Sequence, residues 1–446
     1  MRRRHDLEVP GPLGRRPRRL RALWRRTLLP ASVLVGLLLS RALDLTVALA
    51  LLILLAPLLA ARALIARVRT GRILTRERLV GRFRVPFEQL RFAGEAPGAG
   101  LAVLFNILRG DMAIAGPRPL PEAEAQQLEV AAAVRFTVRP GLFSPYRLRR
   151  RTGIAHEPEA VVDRDYAYAQ SARGDAGLVV RALIGEVLGG GEAPTPPRLE
   201  IFGVSIVNTT MPEAVDWIAA RAAPGETASR PALVAFVNPD CLNIAYVDAD
   251  YRRILLAADC VLPDGIGIHL GCRMLGVALV ANVNGTDLFP RLCERAAEDG
   301  LGLFLLGARP GIAAAAAAAM QARYPRLRIA GVEHGYFDPA NEAAVIARIN
   351  ASGAAILLVA FGAPRQEKWL ARHRDRLAPP VRLGVGGLFD FYSGRIARAP
   401  LWMREIGLEW VWRLLQEPGR MWRRYVIGNP LFLYRVWRQA RGGAQR

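Results

Sequence analysis

In the second half of this chain, acidic and amide side chains sit in short loops, each directly after an apolar run. Asp264 is the sharpest case, in Leu262-Pro263-Asp264-Gly265-Ile266-Gly267, following the run Cys260–Leu262. A carboxylate fixed in such a loop can draw a proton from a hydroxyl and make it a nucleophile, worth roughly 10²–10⁴-fold in rate. The same residue has a second reading, as N-cap of the helix that Gly-Ile-Gly would open. Asn238 lies in Asn238-Pro239-Asp240. Asn284, Gly285 and Asp287 lie in Asn284-Gly285-Thr286-Asp287, which reads first as a turn and N-cap for a helix to Glu298. Gly307 opens Gly307-Ala308-Arg309-Pro310-Gly311. Gly362, Pro364, Arg365, Gln366 and Glu367 form another loop, and Gly386 starts a further one. Glycines let backbone approach a ligand closely, and helix N-termini offer N–H groups to phosphate. The recurrence fits a nucleotide-sugar or dinucleotide pocket. The chain has neither a GxGxxG in a first βα turn nor a P-loop, which argues against a nicotinamide-binding Rossmann domain and a P-loop enzyme.

The elements that must position these loops are legible in outline. Strand candidates are Ile201–Val207, Ala232–Val237, Cys260–Leu262, Leu301–Leu306, Arg328–Val332, Ala355–Ala360 and Val381–Val385. Helical stretches separate them. One opens on a capping box, Thr210 to Glu213, and another carries the alanine run Ala313–Ala319. Strands alternating with helices imply βαβ units and a mostly parallel sheet, whose ligands bind beyond the carboxyl ends of the strands. The expected fold class is therefore α/β, with a Rossmann-like parallel sheet in the C-terminal domain.

The chain has 446 residues and a net charge of +22, nearly all of it from arginine; Lys368 is the only lysine. That charge calls for acidic partners. The arginines crowd an apolar N-terminal region and a Trp-rich tail, which favours anionic membrane lipid over nucleic acid. Cys241, Cys260, Cys272 and Cys293 form no CxxC pair, and no His/Cys cluster has zinc-ligand spacing, so reduced, buried thiols and no metal are expected. Ten arginines fall in the first 26 residues; apolar runs follow at Leu28–Leu39 and Leu45–Leu64. Arginines flank the apolar region on both sides, and Pro57 interrupts the second run. Positive residues mark the cytoplasmic face, so both ends prefer it, and a re-entrant or hairpin element satisfies that better than a straight span. A signal peptide fits poorly, because the apolar region starts late and runs too long. Six segments result: a basic segment 1–27, a membrane-embedded helical region 28–67, a mixed α/β domain 68–188, a Gly/Pro linker 189–198, the α/β domain 199–397, and a helical appendage 398–446.

Taken together, the loop motifs resemble the WecG/TagA/CpsF family (glycosyltransferase family 26). They run in order from Asn238-Pro239-Asp240, with Asp248 ten residues on, through the Asp264 and Asn284 loops, Leu305-Leu306-Gly307, Gly362-Ala363-Pro364-Arg365-Gln366-Glu367-Lys368-Trp369 and Gly384-Val385-Gly386, to Arg423-Arg424-Tyr425. The resemblance implies an inverting transferase that needs no metal or other cofactor. It would move an N-acetylmannosamine-type sugar from a UDP-sugar donor to a polyprenyl-diphosphate-linked N-acetylglucosamine acceptor, at the cytoplasmic face of a bacterial inner membrane. It places Asp264 as catalytic base and the Gly362–Glu367 loop on substrate. Many members carry threonine where this chain has Phe236. The tail from Arg398 has ten arginines against three acidic residues and five of the eight tryptophans. Arg with Trp on amphipathic helices suits a membrane interface. By the same resemblance, Arg420, Arg423 or Arg424 would hold diphosphate.

The N-terminal part is similar to the bacterial sugar transferases (polyprenyl-phosphate phosphoglycosyltransferases). The matching residues are Arg41-Ala42-Leu43-Asp44, Phe105-Asn106-Ile107-Leu108-Arg109-Gly110-Asp111-Met112, Ala115-Gly116-Pro117-Arg118-Pro119 and Val138-Arg139-Pro140-Gly141. Active members carry an Asp-Glu pair before the Asn106 motif; here Ala99 and Gly100 stand there. Phosphoglycosyl transfer is therefore expected to be lost, leaving an anchor or docking platform. The alternatives are a bifunctional enzyme that both primes and extends the lipid carrier, or a non-catalytic scaffold for other glycan-assembly enzymes in surface polysaccharide synthesis.

Overall fold

The computed structural model describes residues 29–94, 98–154, 156–188, 193–223 and 230–443. The basic segment 1–27 and Gly189–Glu192 of the linker lie outside the described residues. The chain divides into two compact units. One comprises Met1–Pro145 and Ala160–Val180; the other comprises Tyr146–Glu159 and Arg181–Arg446.

The first unit opens with the helix Leu29–Leu54, followed after Leu55 by a second helix, Ala56–Thr70, with Pro57 in its first turn. There the missing proline N–H costs nothing. Within the first helix, Val35–Leu54 is long and apolar enough to cross a membrane, and Leu38, Leu49, Ile53 and Leu54 stand exposed. Asp44 lies on this helix and accepts a hydrogen bond from the Ile114 N–H at 2.8 Å. Asn106, fully buried, accepts from the Leu90 N–H at 2.8 Å and donates to the Glu88 carbonyl at 2.7 Å. In this structure the Asn106 motif thus ties its helix to the strand Pro86–Phe92. That strand belongs to a three-stranded antiparallel sheet in which Leu74–Val80 is central. Ala113–Ala115 and Gly141–Phe143 pair in parallel and bring the Gly-Pro-Arg-Pro and Arg-Pro-Gly motifs side by side.

The second unit is built on a six-stranded sheet: β1 (Ala232–Val237), β2 (Cys260–Pro263), β3 (Gly302–Gly307), β4 (Arg328–Glu333), β5 (Ile356–Ala360) and β6 (Val381–Gly384). All neighbours are parallel, in the order β4-β3-β5-β6-β1-β2. The strands are near-continuous apolar runs because helices cover both faces. Leu303, Leu305, Ile356, Leu358 and Leu383 fill one side. Val237, Val261 and Ile268 fill part of the other, together with Phe432 and Val436 from the C-terminal helix Gly428–Gly443. The mixed α/β class with a parallel C-terminal sheet and a helical C-terminus is as the sequence implies.

Local signals were also met. Thr210 caps the helix Met211–Ala222 in a full capping box, and the alanine run lies inside the helix Ile312–Arg323. The stretch Ile201–Val207, expected as one strand, is instead a hairpin. Arg198–Ile201 pairs antiparallel with Val204–Val207 across Phe202-Gly203, both at positive φ (54° and 75°). Two positive φ values in a two-residue loop match the right-handed strand twist. Phenylalanine rarely adopts that conformation, so the turn was hidden. The four cysteines are free and buried, as expected.

Candidate active site

The carboxyl ends of β1, β2, β5 and β6 open onto a cleft of about 440 Å³. Asn238, Asp264, Gly265, Asn284, Gly285, Gly362, Gln366, Gly386, Arg420 and Arg424 all line it.

Asp264 follows β2 directly, and its N–H donates to the Val237 carbonyl at 2.8 Å, which fixes the loop against β1. It is not a helix cap. The N-cap of the helix Ile266–Met274 is Gly265, at φ 94°, and no side chain caps that end. The carboxylate is therefore left to the cleft. Burial pushes its pKa up from the ordinary carboxylate value, while the Arg424 guanidinium and the Asn238 amide pull it back. Gly267, one turn on, must be glycine: a Cβ there would lie 2.3 Å from Pro239 Cγ. This close approach seats the Asp264 loop on the Asn238-Pro239 turn. Asn238 itself caps the helix Pro239–Val247, accepting from the Asp240 and Cys241 N–H groups at 3.1 Å.

Gln366 joins two loops. Its Oε1 accepts from the Gly362 N–H at 3.1 Å and the Gly386 N–H at 2.9 Å. Its Nε2 donates to Glu367 Oε1 at 2.8 Å. Asn282, missed in the sequence, accepts from the Gly265 N–H at 2.7 Å and so holds the residue next to Asp264. The signal was an asparagine two positions before Asn284 in Ala281-Asn282-Val283-Asn284.

The C-terminal helices supply the cations. Arg404, Arg413, Arg420 and Arg424 line the cleft with Trp410 and Tyr425. Arg424 Nε lies 3.6 Å from Asp240 Oδ2, and Arg413 stacks on Phe391 with its guanidinium 4.8 Å from the ring centre. The tail is thus divided: Arg404, Arg413 and Arg424 turn inward, while Trp402, Trp422 and Trp437 remain exposed. Phe236, at the threonine position of many relatives, also lines the cleft.

Six expected substrate residues are not among those lining the cleft. Asp287 is buried behind it, where Arg398 Nη2 reaches it at 2.7 Å, and its N–H donates to the cap residue Asn284 at 2.8 Å. Gly307 ends β3, one strand away; a Cβ there would sit 2.6 Å from the Ala360 carbonyl oxygen, so its glycine serves strand packing. Pro364 and Arg365 begin the helix Arg365–Arg372 on its outer side, with Arg365 exposed. Arg423 is exposed and packs on Trp422, whereas the next residue, Arg424, turns into the cleft. Lys368 pairs instead with Asp248 at 2.6 Å, joining two further motif residues away from the cleft.

Glu367 lies fully buried beneath Gln366, and its Oε2 has no hydrogen-bond partner among the described residues. Burial pushes its carboxyl up to about 7. A carboxyl whose folded pKa is raised contributes stability that is complete below its unfolded value, near 4.5, and lost as pH rises through about 7. Glu367→Gln is therefore expected to raise Tm relative to the parent at pH 8, with the gain shrinking toward pH 5. Thermal unfolding across that range checks it.

An open parallel α/β sheet with Asp264 facing an arginine-lined cleft at its carboxyl edge is a site built for a phosphorylated sugar donor. The chain belongs to the Glycosyl transferase WecG/TagA/CpsF family, whose profile matches residues 199–446. Residues 100–188 match the Bacterial sugar transferase profile. Among curated relatives, the N-acetylglucosaminyldiphosphoundecaprenol N-acetyl-beta-D-mannosaminyltransferase of Bacillus subtilis (strain 168) is 32% identical over 227 residues, 51% of this chain and 86% of that protein. The protein is a glycosyltransferase.

Proposed function

We propose that the C-terminal unit transfers an N-acetylmannosamine-type sugar from UDP to N-acetylglucosamine on a polyprenyl diphosphate, with inversion, in surface polysaccharide synthesis. The observation that carries this reading is Asp264, uncapped and facing a cleft lined by Arg404, Arg413, Arg420 and Arg424. The Asp264 carboxylate takes the proton of the acceptor hydroxyl as that oxygen bonds to the anomeric carbon. The bond from that carbon to UDP breaks on the opposite face, and arginines meet the diphosphate charge that develops. The activity of the Bacillus subtilis relative, N-acetylmannosamine transfer to N-acetylglucosaminyldiphosphoundecaprenol, supports the class of sugar and of acceptor.

On this reading the N-terminal unit anchors the enzyme where its lipid acceptor diffuses, at the cytoplasmic face of the inner membrane. The uncovered apolar surface of Val35–Leu54 supports the membrane part of this assignment. With Ala99 and Gly100 at the expected nucleophile pair, phosphoglycosyl transfer is lost. The test is to supply the protein in nanodiscs with polyprenyl-diphosphate N-acetylglucosamine and a panel of UDP-sugars, and to weigh the lipid product. One added N-acetylhexosamine is expected. An unchanged acceptor with every donor would refute the reading.

A further inference from the structure

The stretch Tyr146–Glu159 lies, by sequence, inside the region matched to bacterial sugar transferases, yet it packs as part of the glycosyltransferase unit. Three sets of contacts hold it there. Arg149 Nε meets Glu405 Oε1 at 3.0 Å, and Glu405 is buried next to the cleft residue Arg404. Glu157 Oε1 takes Arg291 Nη2 at 2.7 Å, on the helix that Asn284 caps. The backbone of Gly153 accepts from the Asn282 N–H at 2.8 Å.

The placement bears on the chemistry in two ways. Asn282 is the residue whose side chain holds Gly265, so the Gly153 carbonyl supports the Asp264 loop through one intermediary. His156 Nε2 lies 3.6 Å from Asp287 Oδ2, with the imidazole almost wholly buried. The other oxygen of Asp287 faces Arg398 at 2.7 Å and Arg404 at 3.6 Å. His156, Asp287 and Arg404 thus form a line that ends in the cleft. Thr152 and Ile154, between these supports, line the cleft directly.

We propose that Thr152, Ile154 and His156 form a wall of the transferase cleft, with His156 a positioning residue that orients Arg404 toward the nucleotide-sugar through Asp287. The inference rests on the transferase reading above. It makes the transferase site incomplete without a stretch drawn from the sugar transferase-like part of the sequence. Replacing His156 leaves Asp287 with one fewer partner and frees it to draw Arg404 back from the cleft. Donor binding therefore weakens more than the chemical step does.

The experiment compares the full chain with His156→Ala, His156→Gln and Ile154→Ala, measuring UDP release kinetics and hydrogen exchange. His156→Ala is expected to raise KM for the UDP-sugar about tenfold with kcat within about twofold. Glutamine can still donate to Asp287, so His156→Gln should restore most of the loss. Ile154→Ala should raise KM with no change in exchange at 398–406. In His156→Ala, amides of 284–288 and 398–406 should exchange faster than in the parent. Parental KM in His156→Ala, or equal impairment of the alanine and glutamine variants, would overturn the proposal. If the parent itself releases no UDP, the transferase reading fails separately. Exchange then decides the wall alone: unchanged rates at 284–288 and 398–406 in His156→Ala would refute it.

Discussion

Asp264→Asn is expected to lower kcat by roughly 10²–10⁴-fold while leaving the protein at least as stable as the parent at neutral pH. Both halves follow from the same placement. The carboxylate caps no helix and faces the cleft, so its loss removes a proton acceptor, while the hydrogen bond from the Asn238 amide can pass to the asparagine carbonyl. Burial raises its pKa above the ordinary carboxylate value, against the pull of Arg424 and Asn238. A group with a raised folded pKa contributes stability that is complete below its unfolded pKa and is lost as pH rises through the folded one. At neutral pH, above the unfolded pKa, the buried carboxyl is therefore a cost that asparagine does not carry. Thermal unfolding at pH 7, paired with turnover, separates this outcome from general damage, which would lower both. The parent's rate should rise with pH along an acid limb lying above the usual range for aspartate.

Arg424→Ala carries the second large effect. Its guanidinium lines the cleft near Asp240 and is the foremost charge holding the Asp264 pKa down. A hydrogen bond to a charged group is worth about 1.5–3 kcal/mol, so losing one to the diphosphate should raise KM about 10–100-fold. Removing the cation also lets the Asp264 pKa climb further, which moves the acid limb to higher pH. Arg423→Ala, on the exposed face against Trp422, should leave that limb where the parent has it. pH–rate profiles of the two variants decide between them. An Arg424→Ala profile superimposable on the parent's would contradict the assignment.

The sheet was legible because its strands are buried on both sides and read as short apolar runs with polar residues at their ends. Five of the seven strand candidates differ from the observed strands by a residue or two at most, and Ala232–Val237 matches at both ends. The seventh failed at Phe202-Gly203, where tertiary packing places phenylalanine at positive φ. Phe202 sits edge-on to Tyr246 and Phe432, contacts that no local pattern foretells. Of the candidate site residues, those just after β1, β2, β5 and β6 line the cleft, while Gly307 at the end of β3 does not. What stayed hidden was which neighbour in a motif turns inward. Arg423 and Arg424 look equivalent in a line of letters, and only helix geometry separates them. Glu367 and Asp287 looked like ligand contacts but lie behind the wall. Asn282, Arg404 and His156 come from segments far apart in sequence, and nothing local announces their meeting.

The measurement that bears most directly on the central claim is the nucleotide released. Protein in nanodiscs would be given UDP-sugar with either polyprenyl phosphate or polyprenyl-diphosphate N-acetylglucosamine, and UDP and UMP quantified separately in parent and Asp264→Asn. Sugar transfer by the C-terminal unit yields UDP with the diphosphate acceptor, and that UDP disappears in the variant. UMP released with polyprenyl phosphate and unaffected by Asp264→Asn would contradict the account, since it would place the chemistry in the unit that carries Ala99 and Gly100.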